Sequence, residues 1–474
     1  MDKEKDVPMK AGLEIHQQLD TGKLFCRCPS VLRKDKADWI VNRRLHAVAG
    51  ESGEVDVAAI HEALKAKEFV YEGYKDTCCL VEYDEQPPLE IDKEALDIAI
   101  QIALLLNCEI LPVSQIMRKT VLDGSNTSGF QRTVLIARNG WIETSKGKVG
   151  IDGVNLEEDA ARIIERGEEK SVFRLDRLGI PLVEIGTAPD LKDAEQIKEA
   201  ALKLGEILRS AKVKRGLGTI RQDLNISVAG HPRVEIKGFQ DPKMMIKTVE
   251  IEVERQTKIG KKGESEVRRA KGDGTTEFLR PMPGSSRMYP ETDLSLLRLG
   301  RKIVDNAKKN LPKLKGEQEK ELRGKGLTEE MISQLLRSRR LKDFELLIKI
   351  YNEPNFVAKS MLLFPKEIAS KKGVDVEDVF GLDVIENILS NVAVGKIQEG
   401  DVKKVMEKIG EGESIEKALK VEKTDLRHLE AKVVEILKAK PGLSIGAYMG
   451  LVMKELQGKV EGKEVMEILR KLVK

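Results

Sequence analysis

Ile220-Arg221-Gln222-Asp223-Leu224-Asn225-Ile226-Ser227-Val228 switches to strict alternation of polar and apolar residues from Asp223 onward. A strand sends alternate side chains to opposite faces. The stretch is therefore predicted to be a strand with Arg221, Asp223, Asn225 and Ser227 on one side and Leu224, Ile226 and Val228 on the other. Three further stretches share this character: Gly12-Leu13-Glu14-Ile15-His16, Ile180-Pro181-Leu182-Val183-Glu184-Ile185 and Arg233-Val234-Glu235-Ile236-Lys237. The same parity puts Glu14 with His16 and Glu235 with Lys237. Asp and Asn are depleted in strands, and Glu mildly so. A sheet that repeatedly carries acids, an amide and bases on one face is either a wetted surface or a site for a hard cation and phosphates. Acids set inside apolar runs favour the site, because an unpaired buried carboxylate is costly.

The 474 residues exceed what one core organises, and two to four domains are expected. Hydrophobic residues at 41% suffice for packed cores, and 34% are charged. With 82 basic against 79 acidic residues, the net charge of +3 neither announces nor excludes a nucleic-acid partner, since local patches decide. Abundant Lys and Glu with 4% aromatics resemble a heat-adapted soluble protein. Five cysteines, odd in number and unevenly spread, fit a reducing cytosol rather than a disulfide framework. Met1-Asp2-Lys3-Glu4-Lys5 lacks a signal-peptide core, and the apolar run from Leu96 to Leu106 is too short to span a bilayer. The expected location is the cytoplasm, with no membrane partner.

Short strands, helices and many glycines fill residues 1–295. Helices are predicted over Asp92–Leu106 and Leu191–Ser210, the second capped by Asp190, with a loop at Asp123–Gly129. Beyond Leu296 long charged amphipathic segments take over. Thr328-Glu329-Glu330 opens one with a cap and an acidic first turn. A second break falls near Gly410-Glu411-Gly412. The last stretch reads as helices from Asp425 to Lys440 and from Lys463 to the end, with an intervening helical turn at Gly446–Gly450. The expected organisation is a mixed α and β body over 1–295, a helical domain over 296–410 and a small helical tail over 411–474.

Mg²⁺ takes oxygen ligands, commonly one or two carboxylates with waters and substrate phosphates. The candidate ligands are Glu14, Glu158, Glu184, Asp223 and Glu235, with His16 as ligand or orienting residue. Leu156-Glu157-Glu158-Asp159-Ala160-Ala161-Arg162 reads as an acidic helix start, whose plain explanation is complementation of the helix dipole. Arg132, Arg162, Arg177, Arg221 and Lys237 are candidate phosphate-binding groups, or else surface ion-pair partners. Cys26-x-Cys28 and the adjacent Cys78-Cys79 have poor spacing for zinc, so reduced structural thiols are expected. Neither a Walker lysine motif nor a dinucleotide glycine fingerprint is present. Basic clusters at Arg337–Lys342, and at Lys438, Lys440 and Lys454, are solvated helix faces or contacts to an RNA backbone.

Taken in order, these segments resemble the B/E subunits of glutamyl-tRNA(Gln) amidotransferases, over essentially the whole chain. The resemblance rests on Gly12–His16 followed by Lys23-Leu24-Phe25-Cys26, on Leu156–Ala160, on Asp176–Ile185, on Arg221–Ser227 and on Glu235-Ile236-Lys237. Asp123–Phe130 and the segment from Arg280-Pro281-Met282-Pro283-Gly284 to Tyr289-Pro290-Glu291-Thr292-Asp293 resemble the archaeal E branch rather than the bacterial B branch. Pro441–Val473 resembles the tail domain shared by both.

The resemblance implies an α+β fold: a cradle-shaped domain with a mainly antiparallel sheet and flanking helices, then an all-α domain and an all-α tail. It implies ATP-dependent phosphorylation of the γ-carboxylate of glutamate on misacylated Glu-tRNA(Gln). Amidation to Gln-tRNA(Gln) would follow, with ammonia from a separate asparaginase-like partner, the D subunit. It implies Mg²⁺ and ATP as cofactors and a site of Glu14, His16, Glu158, Glu184, Asp223 and Glu235; of the basic groups near the acid strands, Arg177, Arg221 and Lys237 are expected to meet the nucleotide. The E branch usually carries an inserted domain shortly before Asp273–Phe278. Here Glu266–Lys271 runs directly into that segment, so the insert is absent near residues 271–272. The alternatives are a bacterial-type B subunit working with A and C partners, and a non-catalytic tRNA-binding scaffold.

Overall fold

The structure, a computed structural model, describes residues 8–46, 53, 55, 60, 67–228, 230–239, 242–282, 287–338, 340–373, 375–420, 426–455 and 462–472. Met1–Lys5, the Pro283–Gly284 part of the motif, Arg339, Asp425 and the last two residues of the tail lie outside them. The described chain forms two compact units, residues 1–315 and 316–474.

In the first unit, ten strands make a continuous sheet: β1 (Met9–Gln18), β2 (Ile116–Thr120), β3 (Phe130–Thr144), β4 (Gly147–Glu158), β5 (Pro181–Thr187), β6 (Ile220–Val228), β7 (Val234–Phe239), β8 (Glu266–Ala270), β9 (Thr276–Pro281) and β10 (Met288–Pro290). Their spatial order is β9-β8-β7-β6-β1-β5-β4-β3-β2-β10, and the short strand Glu109–Ile110 adds to β3. Only the β7–β8 pair of this path is parallel. A four-stranded sheet runs Trp39–Arg43, Glu68–Gly73, Lys170–Arg174, Arg162–Arg166. The α+β class with a mainly antiparallel sheet is therefore observed.

Strand parity separates core from cleft. Leu13 and Ile15 of β1, Val183 and Ile185 of β5, and Leu224 and Ile226 of β6 are all buried in one apolar core. Burying each such side chain contributes about 1.5–3 kcal/mol. Helices α1 (Lys93–Leu105) and α2 (Ala194–Ser210) contribute their apolar faces to this core. Asp92 caps α1 by accepting from the Ala95 amide at 2.8 Å. The cap of α2 is Asp193, not Asp190; its carboxylate accepts from the Gln196 amide at 3.0 Å. Asp190 instead accepts from the Gly150 amide.

Residues 156–162 do not start a helix. Leu156, Glu157 and Glu158 end β4, paired to β3 on one side and β5 on the other, and Arg162 opens the next strand. Two-sided pairing satisfies the backbone here, which overrides the helix-start character of clustered acids.

The unit boundary falls later than residue 295, because the helix Arg301–Lys309 buries Ala307 in the core of the first unit. In the second unit the buried apolar residues form three clusters, one built on Leu322–Leu389, one on Ile368–Ala418 and one on Leu429–Leu469. Thr328 caps the helix Glu329–Arg337. The turn at Gly446–Gly450 belongs to a full helix, Ile445–Glu455. Among the described residues, no helix is long and apolar enough to cross a membrane.

Candidate active site

The face of the sheet opposite the core opens into a cleft of about 860 Å³, within the roughly 300–1,000 Å³ typical of small-molecule sites. Cross-strand register assembles its floor. Glu14 lies directly opposite Asp223, and His16 directly opposite both Glu184 and Arg221. Glu184 is in turn opposite Asn155, and Asn225 opposite Glu235. Opposed residues share a face and come within reach of one another. Six candidates, Glu14, His16, Glu184, Asp223, Glu235 and Lys237, thus meet in one place, and the cleft also takes in Arg177 and Arg221.

Glu158 does not join them. It ends on the opposite face of β4, where its carboxylate accepts from the Arg132 amide and guanidinium, each at 3.3 Å. Arg132 also donates to Glu291 at 2.8 Å. The carboxylate that faces the cleft is Glu157, two residues from Asn155 along the same strand. Reading 156–162 as a helix removes the parity that would find it.

Two donor sets share His16. Ligand atoms of Glu14, His16 and Asp223 lie within 4.8 Å of one another, as do those of His16, Glu157 and Glu184. His16 Nε2 is 3.0 Å from Glu184 and 3.5 Å from Glu14. Gln131 donates to Glu157 at 3.1 Å and Asn155 to Glu184 at 2.9 Å, which fixes both carboxylates. Oxygen-rich donors with one imidazole fit a hard divalent cation.

Two lysines neutralise part of the acid. Lys119, which sequence reasoning missed, lies 2.7 Å from Glu157 and 3.5 Å from Glu184. Lys237 donates to Asp223 at 2.7 Å and pairs with Glu235. Burial works against both ammonium groups, but the surrounding carboxylates outweigh it and hold them charged. The acids divide. Burial and the neighbouring Glu184 push Glu14 up. Glu184 resists its own burial, because Lys119 and His16 hold it well below the usual carboxylate range. His16 is disfavoured as a cation by burial, yet its hydrogen bond to Glu184 carries it upward overall.

Along the wall, Asp159 is fully buried and anchors two guanidiniums. Arg221 donates to it at 3.0 Å and Arg177 stands 3.8 Å away, donating to the carbonyls of Ala160 and Ala161. Burial opposes the Asp159 charge, and Arg221 and Arg177 overcome it.

A second donor cluster lies outside the cleft. Ligand atoms of Cys26, Cys28, Cys79 and Glu82 fall within 4.8 Å of one another. Cys26 Sγ is 2.9 Å from Glu82 Oε1, which is 3.3 Å from the buried Lys23 ammonium. Spacing predicts reduced structural thiols and does not foresee that three of them cluster. The four groups come from two segments about fifty residues apart, and Cys78 points away into a separate apolar cluster.

Comparison with known proteins defines the class. Residues 9–305 match the GatB/GatE catalytic domain and residues 342–473 the GatB domain. The chain belongs to the GatB/GatE family. Among its relatives are proteins named as the E subunit of glutamyl-tRNA(Gln) amidotransferase. That of Methanocaldococcus jannaschii is 35% identical, with 99% of each chain covered. That of Methanothermobacter thermautotrophicus is 35% identical over 86% of this chain and 87% of the relative. That of Thermococcus gammatolerans is 32% identical over 99% and 98%.

The first of these comparisons runs over 625 aligned positions against the 474 residues here, so the relative carries residues with no counterpart in this chain. Where the insert is expected, β8 and β9 form a hairpin closed by a short turn. The Lys271 amide donates to the Thr275 carbonyl at 2.9 Å, and Asp273 accepts from the Thr275 amide and hydroxyl.

Proposed function

We propose that this chain is the tRNA-dependent, ATP-consuming component of a glutamyl-tRNA(Gln) amidotransferase of the archaeal E type. The observation that carries the reading is the cleft: two hard-donor sets around His16, flanked by half-buried lysines and by guanidiniums anchored on Asp159. A non-catalytic scaffold has no use for so many acids in the middle of apolar strands. The names of the relatives favour the E branch over the bacterial-type B branch.

A carboxylate is a poor electrophile because oxide is a bad leaving group. Phosphorylation supplies a good one. The γ-carboxylate oxygen of tRNA-bound glutamate attacks the γ-phosphorus of ATP, the bond to the bridging oxygen breaks, and ADP departs. Ammonia then adds to the acyl carbon, phosphate leaves, and the nitrogen loses a proton to a carboxylate of the cleft. Glu14, His16 and Asp223, together with Glu157 and Glu184, would hold Mg²⁺, which when bound supplies positive charge to phosphate oxygens. Arg177 and Arg221 bind phosphate oxygens bidentately, and Lys119 and Lys237 orient the carboxylates. The protein thus contributes positioning and charge stabilisation. Ammonia comes from a separate asparaginase-like partner, the D subunit of the amidotransferase.

The test is ATP hydrolysis by the purified chain with Mg²⁺ and ammonium chloride. Hydrolysis should require Glu-tRNA(Gln) and should yield Gln-tRNA(Gln). Hydrolysis equal with and without the aminoacyl-tRNA would overturn the reading.

A further inference from the structure

Leu217 is the most exposed large hydrophobic side chain among the described residues, at 103% of its reference area, and it stands at the edge of the cleft. Exposed apolar residues are common singly, but this one is mounted in an unusual way. Gly216 and Gly218 flank it at φ +127° and +80°, and neither has an atom within 4 Å of where a Cβ would sit. The loop is therefore not shaped by crowding; the glycines supply the positive φ of the turn.

Its two feet are fixed to a single residue of β1. The Lys214 amide donates to the Gln18 carbonyl at 3.0 Å, and the Gln18 amide donates to the Thr219 carbonyl at 2.9 Å. The Gln17 side chain adds a bond to the Lys214 carbonyl at 2.9 Å. Between the anchored feet the tip is itself tied as a turn: the Gly216 carbonyl accepts from the Thr219 amide at 3.4 Å and from its hydroxyl at 2.9 Å, which presents Leu217 near the apex. Thr219 leads directly into Ile220 and Arg221, so the turn is rooted beside the guanidinium wall.

The rest of the cleft is polar and charged. Its other apolar lining is Leu182, Ile220 and Phe239, of which Leu182 and Phe239 are almost fully buried. A nucleotide presents two chemistries: phosphates, which suit the acid, lysine and arginine floor, and a flat base, which needs an apolar surface. Among the described residues of the lining, Leu217 is the one that offers it fully, since Ile220 packs in part against the apolar core.

We infer that Leu217, presented by this turn, packs on a nucleobase at the mouth of the cleft. The inference rests on the nucleotide-dependent reading above. The shared ligand chemistry is an adenine, carried by ATP or by the terminal adenosine of the tRNA acceptor end.

Equilibrium binding to the full chain, measured with Mg²⁺, separates the outcomes. The probes are ATP, inorganic tripolyphosphate and Glu-tRNA(Gln), and the variants are Leu217→Ser and Leu217→Phe. Because the Leu217 side chain is fully exposed, neither variant should alter folding. Leu217→Ser should weaken the adenine-bearing ligand roughly 10-fold, from lost burial of one side chain, and leave tripolyphosphate unchanged; Leu217→Phe should restore binding. Weakening confined to ATP assigns the nucleotide base, and weakening confined to Glu-tRNA(Gln) assigns the acceptor adenosine. Unchanged affinity for both, or equal weakening of tripolyphosphate, overturns the inference while leaving the function intact. Failure of the unmodified chain to bind ATP or tripolyphosphate overturns both.

Discussion

His16 Nε2 lies 3.0 Å from Glu184 Oε2 at directly opposed positions of β1 and β5, and this contact joins the two donor sets of the cleft. The histidine belongs to both sets, and the glutamate is also held by Asn155 and neighboured by Lys119. A change at either residue should therefore alter the charge balance of the whole floor.

Glu184→Gln keeps the shape and removes the charge. Amidation should fall at least ~10-fold, in the range seen when metal ligands or their supports are lost, with the deficit largest at limiting Mg²⁺. Circular dichroism should show an unchanged fold. A wild-type rate at limiting Mg²⁺ would remove Glu184 from the site.

The strand faces are legible in the sequence because parity is local. Glu14 with His16, Asp223 with Asn225, and Glu235 with Lys237 follow from spacing once each run is taken as a strand. Glu157 is hidden because adjacent acids before Ala160-Ala161 look like the first turn of a helix, and only pairing with β3 and β5 decides otherwise. Lys119 is hidden for a different reason. Its approach to Glu157 depends on the β2–β3–β4 order, which no local pattern encodes. The Cys26, Cys28, Cys79 and Glu82 cluster likewise needs two distant segments to meet.

That cluster has the donors of a closed soft-metal centre. The purified chain should carry about one equivalent of zinc by elemental analysis, lost in Cys79→Ser, and a strong chelator should lower the melting temperature. Metal-free protein with unaltered melting would mean that the thiols only pack.

Acid should loosen the hairpin region. Glu252, fully buried on the helix Pro242–Ile259, accepts from Arg255, Gln256 and Thr276 of β9. Burial opposes its charge, but these partners win and hold its carboxyl below the usual carboxylate range. A depressed carboxylate contributes stability above its unfolded pKa and loses it as pH falls through the folded value. Stability should therefore drop below about pH 4.5, and Glu252→Gln should flatten that part of the profile and cost about 1–3 kcal/mol at neutral pH. Matching denaturation profiles for both proteins from pH 3 to 7 would contradict this.

Removing the tail tests whether its basic helix faces contact the tRNA backbone or are merely solvated. The structure moves the cut from residue 411 to about residue 421, because Ala418 is buried in the cluster of the preceding helices. The truncated chain should bind Glu-tRNA(Gln) more weakly and with a shallower salt dependence, while ATP binding stays the same. Coincident salt series for the two forms would leave the tail without a role in RNA binding.

Phosphorylation of the side-chain carboxylate of tRNA-bound glutamate is the step on which the proposed function turns, and trapping the acyl phosphate reads it out. The chain, ATP, Mg²⁺ and Glu-tRNA(Gln) are mixed without a nitrogen donor and then treated with hydroxylamine. The expected product is the γ-hydroxamate of glutamate, resolved by chromatography from the α-hydroxamate that hydroxylamine releases from the aminoacyl ester, formed only with ATP and lost in Glu184→Gln. γ-Hydroxamate formed equally without ATP, or none while ammonium still yields Gln-tRNA(Gln), would contradict phosphorylation in this cleft.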